Sequence, residues 1–66
     1  MPPLEEAIVE KLLESGPCSL DEMVNHLPYF SWGEIFIAID RMSIAGRVSL
    51  RQVGYSTYEL ALKHAA

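Results

Sequence analysis

The sequence predicts an α+β domain in which three short helices are followed by a C-terminal β-hairpin. Ser19 and Ser31 each stand three residues before a glutamate, and each opens a run of apolar residues at helical spacing. In such a capping box the serine hydroxyl accepts a hydrogen bond from the glutamate N–H, and the carboxylate accepts one from the serine N–H. After Gly46 the apolar period changes to two, which is typical of strands. The predicted order of elements is α1-β1-α2-α3-β2-β3.

The first helix is expected to run from about Pro3 to Ser15. Proline suits the first turn of a helix, where its missing N–H costs no intrahelical hydrogen bond. Apolar residues recur at helical spacing from Leu4 to Leu12, and glutamates occupy the opposite face. Gly16 is placed to adopt the left-handed conformation after the last turn, and Pro17 prevents the helix from continuing.

The second and third helices are the two that begin at capping boxes. The second spans about Leu20 to Leu27, and Pro28 ends it because the residue before a proline is driven out of the helical region. The third starts at the Ser31 cap and runs to about Ala45, where Gly46 closes it. At about 100° per residue, the third helix has a core face that comprises Ile35, Ala38, Ile39, Met42 and Ala45.

Two runs with a period of two predict the strands of the hairpin. Every second residue is apolar from Val48 to Leu50 and again from Tyr58 to Leu62. The loop between them is expected at 53–56, with Gly54 free to take a positive φ. The segment 17–19 is too short to form a strand alone and is a candidate to pair with an edge of the hairpin. The predicted core comprises Ile8, Leu12, Leu20, Val24, Leu27, Ile35, Ile39, Met42, Val48, Leu50, Tyr58 and Leu60.

Length and composition indicate one small globular domain over residues 1–66. A chain of 66 residues buries only about 60% of the surface that its unfolded form exposes, so its core is thin. No stretch approaches the roughly 18 apolar residues of a membrane span, and the first residues lack the pattern of a secretory signal. The single cysteine, Cys18, cannot form an internal disulfide, which agrees with a reducing compartment. We therefore expect a cytoplasmic protein with no membrane partner.

The chain is acidic overall, but its charge is unevenly distributed. The net charge of −4 argues against simple nucleic-acid binding, which depends on neutralising phosphates. The first 33 residues hold six acids against one lysine, whereas residues 34–66 hold three acids against four basic residues. Arg41, Arg47 and Arg51 all fall in this second half. Such asymmetry can mark an interaction face, and it can equally be ordinary surface scatter.

The 20–27 helix, the turn at Pro28 and the segment 39–48 are arranged as in the winged helix-turn-helix superfamily, which the chain resembles over nearly all of residues 4–62. The segment 39–48 looks like the family's exit from the recognition helix into the first wing strand, and residues 57–60 look like the second wing strand. The resemblance implies a three-helix bundle with a C-terminal β-hairpin wing. Members of this superfamily bind DNA, bind RNA or act as protein-interaction modules, so the fold alone does not decide the function.

The resemblance implies a small DNA-binding or transcription-regulatory domain as the first functional hypothesis. In DNA-binding members the third helix enters the major groove and the wing tip contacts the backbone or the minor groove. The base-facing positions of the third helix are then Trp32, Gly33, Phe36, Ile37, Asp40 and Arg41, and the wing tip adds Gly54 and Ser56. The residues expected to contact double-stranded DNA are Arg41, Arg47, Arg51, Gln52 and Tyr55.

The outer face of the third helix supports a second hypothesis. Ile37 and Ile44 lie on this face and Phe36 lies at its boundary, where a DNA reader carries polar side chains. A contiguous apolar patch on a small domain usually marks a contact with another molecule, although single surface apolar residues are common. The alternative is an acidic protein-interaction module, or a homodimer, that uses Phe36, Ile37 and Ile44.

The sequence predicts no catalytic activity, no cofactor, no metal site and no small-molecule substrate. Cys18, His26 and His64 are too few for a zinc site and match no recognised ligand spacing. Adjacent carboxylates at 5–6 and 21–22 fall on solvated helix faces, and so small a chain has little room for an enclosed pocket. We expect the protein to be non-enzymatic.

Two further features are interpreted as packing. Cys18 precedes the Ser19 cap and is expected to contact Met23 as a hydrophobic staple. Tyr29, Phe30 and Trp32 are expected to pack at the corner between the second and third helices, in preference to stacking on bases.

Overall fold

The computed structural model of the chain describes residues 3–63. Within this range lie α1 (Leu4–Ser15), β1 (Cys18–Ser19), α2 (Leu20–His26), α3 (Trp32–Ile44), β2 (Val48–Gln52) and β3 (Tyr58–Leu62). This order confirms the predicted α+β fold, and it is compatible with a winged helix layout. His64, considered above as a metal ligand, lies outside the described residues. No helix in the described part of the chain has the length and hydropathy needed to span a membrane.

Both predicted capping boxes are present, and they set the starts of α2 and α3. Each serine Oγ accepts a hydrogen bond from the N–H of its glutamate, at 3.1 Å in Ser19–Glu22 and 3.1 Å in Ser31–Glu34. The returning bond to the glutamate carboxylate is 2.9 Å long from the Ser31 N–H but 3.4 Å from the Ser19 N–H. The box that opens α3 is therefore the tighter one.

Glycines with positive φ end α1 and α3, at Gly16 (76°) and Gly46 (77°). At Gly46 the two hydrogen bonds of a Schellman motif form, from Arg47 N–H to Met42 O at 2.9 Å and from Gly46 N–H to Ser43 O at 3.0 Å. Gly16 takes the positive φ predicted for it after the last turn of α1, but its ψ of −165° places it outside the left-handed helical region. Its backbone lies in an extended region that is essentially restricted to glycine, and the chain passes directly from α1 into β1.

β3 is the central strand of a three-stranded antiparallel sheet with the order β1-β3-β2. β2 pairs with β3 from Val48↔Leu62 to Gln52↔Tyr58. The predicted pairing of the segment 17–19 is found on the opposite edge of β3, where Cys18 faces Leu60 and Ser19 faces Glu59. A hydrogen bond of 2.9 Å from Val53 N–H to Thr57 O closes the loop at 53–57. Gly54 does not adopt the positive φ expected for it in this loop.

One hydrophobic cluster joins the inner faces of the helices and the sheet. Its buried residues are Ile8, Leu12, Cys18, Leu20, Met23, Leu27, Ile35, Ala38, Ile39, Met42, Val48 and Leu60. Four residues predicted to face the core are corrected, because Val24 and Leu50 are only half-buried, whereas Ala45 and Tyr58 are exposed. Tyr58 pairs with Gln52 at the loop end of the hairpin, the end farthest from the α3–β2 junction. Cys18 and Met23 are both buried in the cluster, as the staple interpretation requires.

Candidate functional site

The outer face of α3 is exposed and carries large apolar side chains. Ile35 and Ile39 on the inner face are fully buried, whereas Ile37 and Ile44 on the outer face are 60% and 81% exposed. Phe36 lies at the boundary with its side chain partly exposed. The structure therefore places all three residues of the predicted interaction patch at the surface. Ile37 and Phe36 lie on opposite sides of the exposed face of α3, which we call the α3 ridge.

One side of this ridge borders a groove of about 580 Å³ between the start of α1 and α3, which we name the α1–α3 groove. It is lined by Pro3, Leu4, Glu5, Glu6, Glu34, Ile37, Ala38, Arg41 and Arg47. Leu4 packs on the core and Ala38 is buried, so the floor is apolar, whereas five of the nine lining residues are charged. An apolar centre with a polar rim is the usual anatomy of a protein–protein interface.

Two of the three arginines in the predicted DNA contact set are engaged by carboxylates of the same chain. Arg47 Nη1 lies 2.8 Å from Glu5 Oε1, and Arg51 Nη2 lies 2.9 Å from Glu59 Oε1. Arg51 and Glu59 are direct partners across β2 and β3. All four side chains of these pairs are more than a third exposed, so each pair stabilises the fold by at most about 1 kcal/mol. A phosphate can compete with the carboxylates for these arginines. Until it does so, each carboxylate offsets the positive charge of the arginine that it binds.

Arg41 is in a different position. Neither of the two ion pairs formed among residues 3–63 includes it, and its exposed side chain lines the α1–α3 groove together with Glu34 and Ile37. These three residues are spaced i, i+3 and i+7 and therefore follow one side of the helix. Arg41 and Ile37 are among the predicted site residues, whereas Glu34 is predicted only as a capping residue. The spacing that connects the three was readable from the sequence.

The remaining predicted DNA contacts lie on the hairpin. The side-chain amide of Gln52 donates a hydrogen bond of 3.0 Å to the carbonyl oxygen of Tyr55, which ties the end of β2 to the loop. The Tyr55 ring is fully exposed at the wing tip. Arg51, Gln52 and Tyr55 thus lie on the hairpin, whereas Arg41 and Arg47 line the α1–α3 groove.

The other side of the α3 ridge carries an aromatic cleft. It has a volume of about 130 Å³ and is lined by Ser19, Leu20, Asp21, Trp32, Phe36, Ser56, Thr57 and Tyr58. The Trp32 and Phe36 rings, one helical turn apart, stack with centroids 5.1 Å apart and an interplanar angle of 13°. The expected corner packing is correct for Phe30, which packs against the core, but wrong for Trp32 and Tyr29, which are 53% and 80% exposed.

Cys18 is a packing residue in this structure. Its side chain is buried, and burial, with the nearby charge of Glu22, raises the pKa of the thiol above its ordinary value. A thiol with a raised pKa holds its proton at neutral pH and is a poor nucleophile and metal ligand. Within residues 3–63, no three histidine, cysteine, aspartate or glutamate side chains come together as metal ligands would.

Comparisons with protein-family models, with curated proteins and with solved structures find no match to this chain. The fold and surface define a small α+β domain, compatible with a winged helix layout, that presents an apolar helix face between a charged groove and an aromatic cleft.

Proposed function

We propose that this chain is a non-enzymatic, cytoplasmic protein-interaction domain of the winged helix-turn-helix superfamily that associates with a second copy of itself through the outer face of α3. The observation that carries the proposal is the exposure of Ile37 and Ile44 on a face that borders a groove with an apolar floor. Isolated apolar residues on a surface need no explanation, but a helix face that joins an apolar groove favours contact with a partner.

The energetics favour a weak dimer. Complete burial of a fully exposed isoleucine side chain contributes about 1.5–3 kcal/mol, and Ile37, which is 60% exposed, can gain about 1–2 kcal/mol of it. A two-fold contact doubles this gain, because each copy contributes Ile37 and the neighbouring groove. Association costs at least about 4 kcal/mol in lost translational and rotational freedom. Burial of Ile37 in both copies thus roughly offsets this cost, and contact with the apolar floor of the groove must supply the surplus, so the dimer is expected to form only at high protein concentration.

The charge of the chain favours self-association over DNA binding through the same face of α3. The chain has a net charge of −4, and the ion pairs of Arg47 and Arg51 cancel two of its five positive charges locally. Phosphate binding gains affinity from each cation that it neutralises, whereas an apolar contact needs none. A dimer through α3 also covers the helix that would enter a DNA groove, so the two functions compete for one surface.

Double-stranded DNA binding in transcription regulation is the second candidate, and Arg41 favours it. This arginine is exposed on α3 and lies outside the ion pairs described above, so it is available to a base edge or a phosphate. Arg47 and Arg51 would contact phosphates after leaving their carboxylates, and Gln52 and Tyr55 would supply the wing contacts. A titration with duplex DNA at low salt that shifts amide resonances of α3 and the wing would support this candidate.

Analytical ultracentrifugation of three proteins tests the main proposal. The wild type is expected to sediment as a monomer–dimer mixture that shifts toward dimer with concentration. The Ile37→Glu variant should remain monomeric, because the carboxylate would be buried against an apolar surface. Leu13→Glu is the matched control, since Leu13 is an equally exposed apolar residue on α1 outside the groove. A wild type that stays monomeric throughout, or an Ile37→Glu protein that dimerises like wild type, contradicts the proposal.

A further inference from the structure

The side of α3 that lines the α1–α3 groove has a charge pattern with a direction. Glu34 lies toward the N-terminal end of this stripe, Ile37 lies at its centre and Arg41 lies toward its C-terminal end. All three side chains are exposed, and Ala38 beside Ile37 is small and buried. The stripe thus has an acid at one end, an apolar centre and a base at the other end. It is therefore complementary to the same stripe of a second copy whose α3 runs antiparallel to it.

Antiparallel packing of two such helices satisfies both charges at once. A two-fold axis that passes between positions 37 and 38 places Glu34 of each copy opposite Arg41 of the other, as an isologous interface requires. The separation of the two charges along the axis, roughly 10 Å at 1.5 Å per residue, is the same in both copies, so both pairs form together. Parallel packing would place Glu34 against Glu34 and Arg41 against Arg41, and like charges would repel.

We propose that two copies of this chain pair through antiparallel α3 helices, with Arg41 of each copy bound to Glu34 of the other. This geometry rests on the self-association proposed above and specifies its register. Glu34 Oε1 accepts the N–H of Ser31 at 2.9 Å in the capping box, and the other carboxylate oxygen is directed to the Arg41 guanidinium of the second copy. Ile37 of each copy packs at the centre, over the apolar floor of the groove.

Among the other charged residues of the groove, only Glu6 can compete for the Arg41 guanidinium of the second copy. Glu5 and Arg47 already bind each other at 2.8 Å, so neither needs a partner from the second copy. Glu6 is the remaining carboxylate of the groove, and it is the competing site for an incoming Arg41. A direct test must therefore separate Glu34 from Glu6.

Complementary charge reversals provide that test. In Glu34→Lys alone, two cations face each other at both contacts, and in Arg41→Glu alone, two carboxylates do. Each single variant replaces two attractive ion pairs of the dimer by two repulsive contacts. Because exposed ion pairs are individually weak, we expect the Kd of each variant dimer to rise at least about tenfold over that of wild type. An equimolar mixture restores opposite charges at both contacts, and it should form a heterodimer with wild-type affinity, identified by its mass in native mass spectrometry.

Two controls keep the result interpretable. Glu6→Lys makes the same charge change in the same groove, and its mixture with Arg41→Glu should yield no preferred heterodimer. Glu34→Lys removes a capping-box acceptor, so circular dichroism must show a folded protein. Glu34→Gln retains an oxygen acceptor for the Ser31 N–H, so it should still fold, although with lower stability, and should weaken the dimer, which provides a second reading if Glu34→Lys fails to fold.

The outcomes distinguish the two levels of the proposal. Heterodimers in the Glu34→Lys and Arg41→Glu mixture, with none in the Glu6→Lys mixture, establish the antiparallel register. Loss of dimer in Ile37→Glu without heterodimers in the first mixture overturns the register and leaves self-association through α3 intact. A wild type that is monomeric at every concentration overturns self-association itself, and the register with it.

Discussion

At the residue scale, the Glu34 carboxylate caps α3, and in the proposed dimer it would also bind Arg41 of the second copy. The hydrogen bond from the Ser31 backbone N–H, and to a smaller extent the one with the Ser31 side chain, stabilises the ionised carboxylate. Together they hold the pKa of Glu34 below its ordinary value of 4.5. The carboxylate is therefore charged at neutral pH in the folded protein. Its ionisation links the stability of α3 to pH.

Replacement of Glu34 by glutamine is expected to remove a pH-dependent part of the stability. The pKa is lower in the folded than in the unfolded protein, so ionisation stabilises the fold above the unfolded pKa, and this contribution is lost as pH falls through the folded pKa. Wild type should exceed Glu34→Gln in free energy of unfolding at pH 7, and the difference should shrink below about pH 4.5. Urea unfolding from pH 7 to pH 3 measures it, and a difference that does not vary with pH contradicts the assignment.

The Arg51–Glu59 pair provides a test of DNA binding in which two substitutions have opposite effects. If Arg51 contacts a phosphate, Arg51→Ala should weaken binding to every duplex and reduce the slope of log K against log salt by about one. Glu59→Gln should strengthen binding, because it removes the carboxylate that holds Arg51 at 2.9 Å. Fluorescence anisotropy with a labelled duplex at several salt concentrations measures both. If Glu59→Gln leaves affinity unchanged, Arg51 is a structural partner of Glu59 and not a phosphate ligand.

At the scale of elements, the helix ends depend on two glycines whose surroundings are empty. A Cβ atom at Gly16 or Gly46 would meet nothing within 4 Å, so the cost of alanine there arises from the backbone alone. Gly46→Ala is expected to destabilise by about 1–2 kcal/mol, the cost of a left-handed alanine. Gly16→Ala should cost more, up to about 3 kcal/mol, because its ψ of −165° places it in a region that only glycine populates.

Another glycine, Gly33, is the matched control for these substitutions. It lies in the first turn of α3, does not have a positive φ, and also has open space around its Cα. Because alanine is the better helix former by up to about 1 kcal/mol, Gly33→Ala should stabilise the protein slightly. Urea unfolding of the three variants should rank them Gly33→Ala, Gly46→Ala, Gly16→Ala in decreasing stability. A Gly16→Ala protein as stable as wild type would show that the α1–β1 turn can relax to another conformation.

Sequence patterns predicted the elements because the signals that begin and end them are local. Each capping box lies within four residues, and the Schellman turn at Gly46 depends on the residue type that tolerates a positive φ. Tyr58 and Val24 were misplaced in the core because period alone does not show where neighbouring elements stop covering a strand or helix. Trp32 was assigned to corner packing, whereas its i, i+4 spacing to Phe36 carried the signal for the observed stack.

At the scale of the whole molecule, the candidate site could be predicted only in part. The spacing of Ile37 and Arg41 places them on α3, but the groove also requires the start of α1. The contact that closes its end joins Glu5 to Arg47, which are 42 residues apart in the sequence, and no local pattern encodes that pairing. The same contact changes the interpretation of the arginine cluster, since the sequence counts charges but does not show which are neutralised within the fold.

Dimerisation should make the thermal stability of this small domain depend on its concentration. A partner that binds only the folded state adds about 1.4 kcal/mol at tenfold its Kd, and for a domain of this size each kcal/mol raises Tm by roughly 4–8 °C. The Tm of wild type is therefore expected to rise by several degrees as the protein concentration increases from below to above the dimer Kd. Ile37→Glu should show a Tm that does not vary with concentration, and Leu13→Glu should behave like wild type. Differential scanning calorimetry over a hundredfold concentration range measures the effect, and a constant wild-type Tm would exclude a dimer that is coupled to folding.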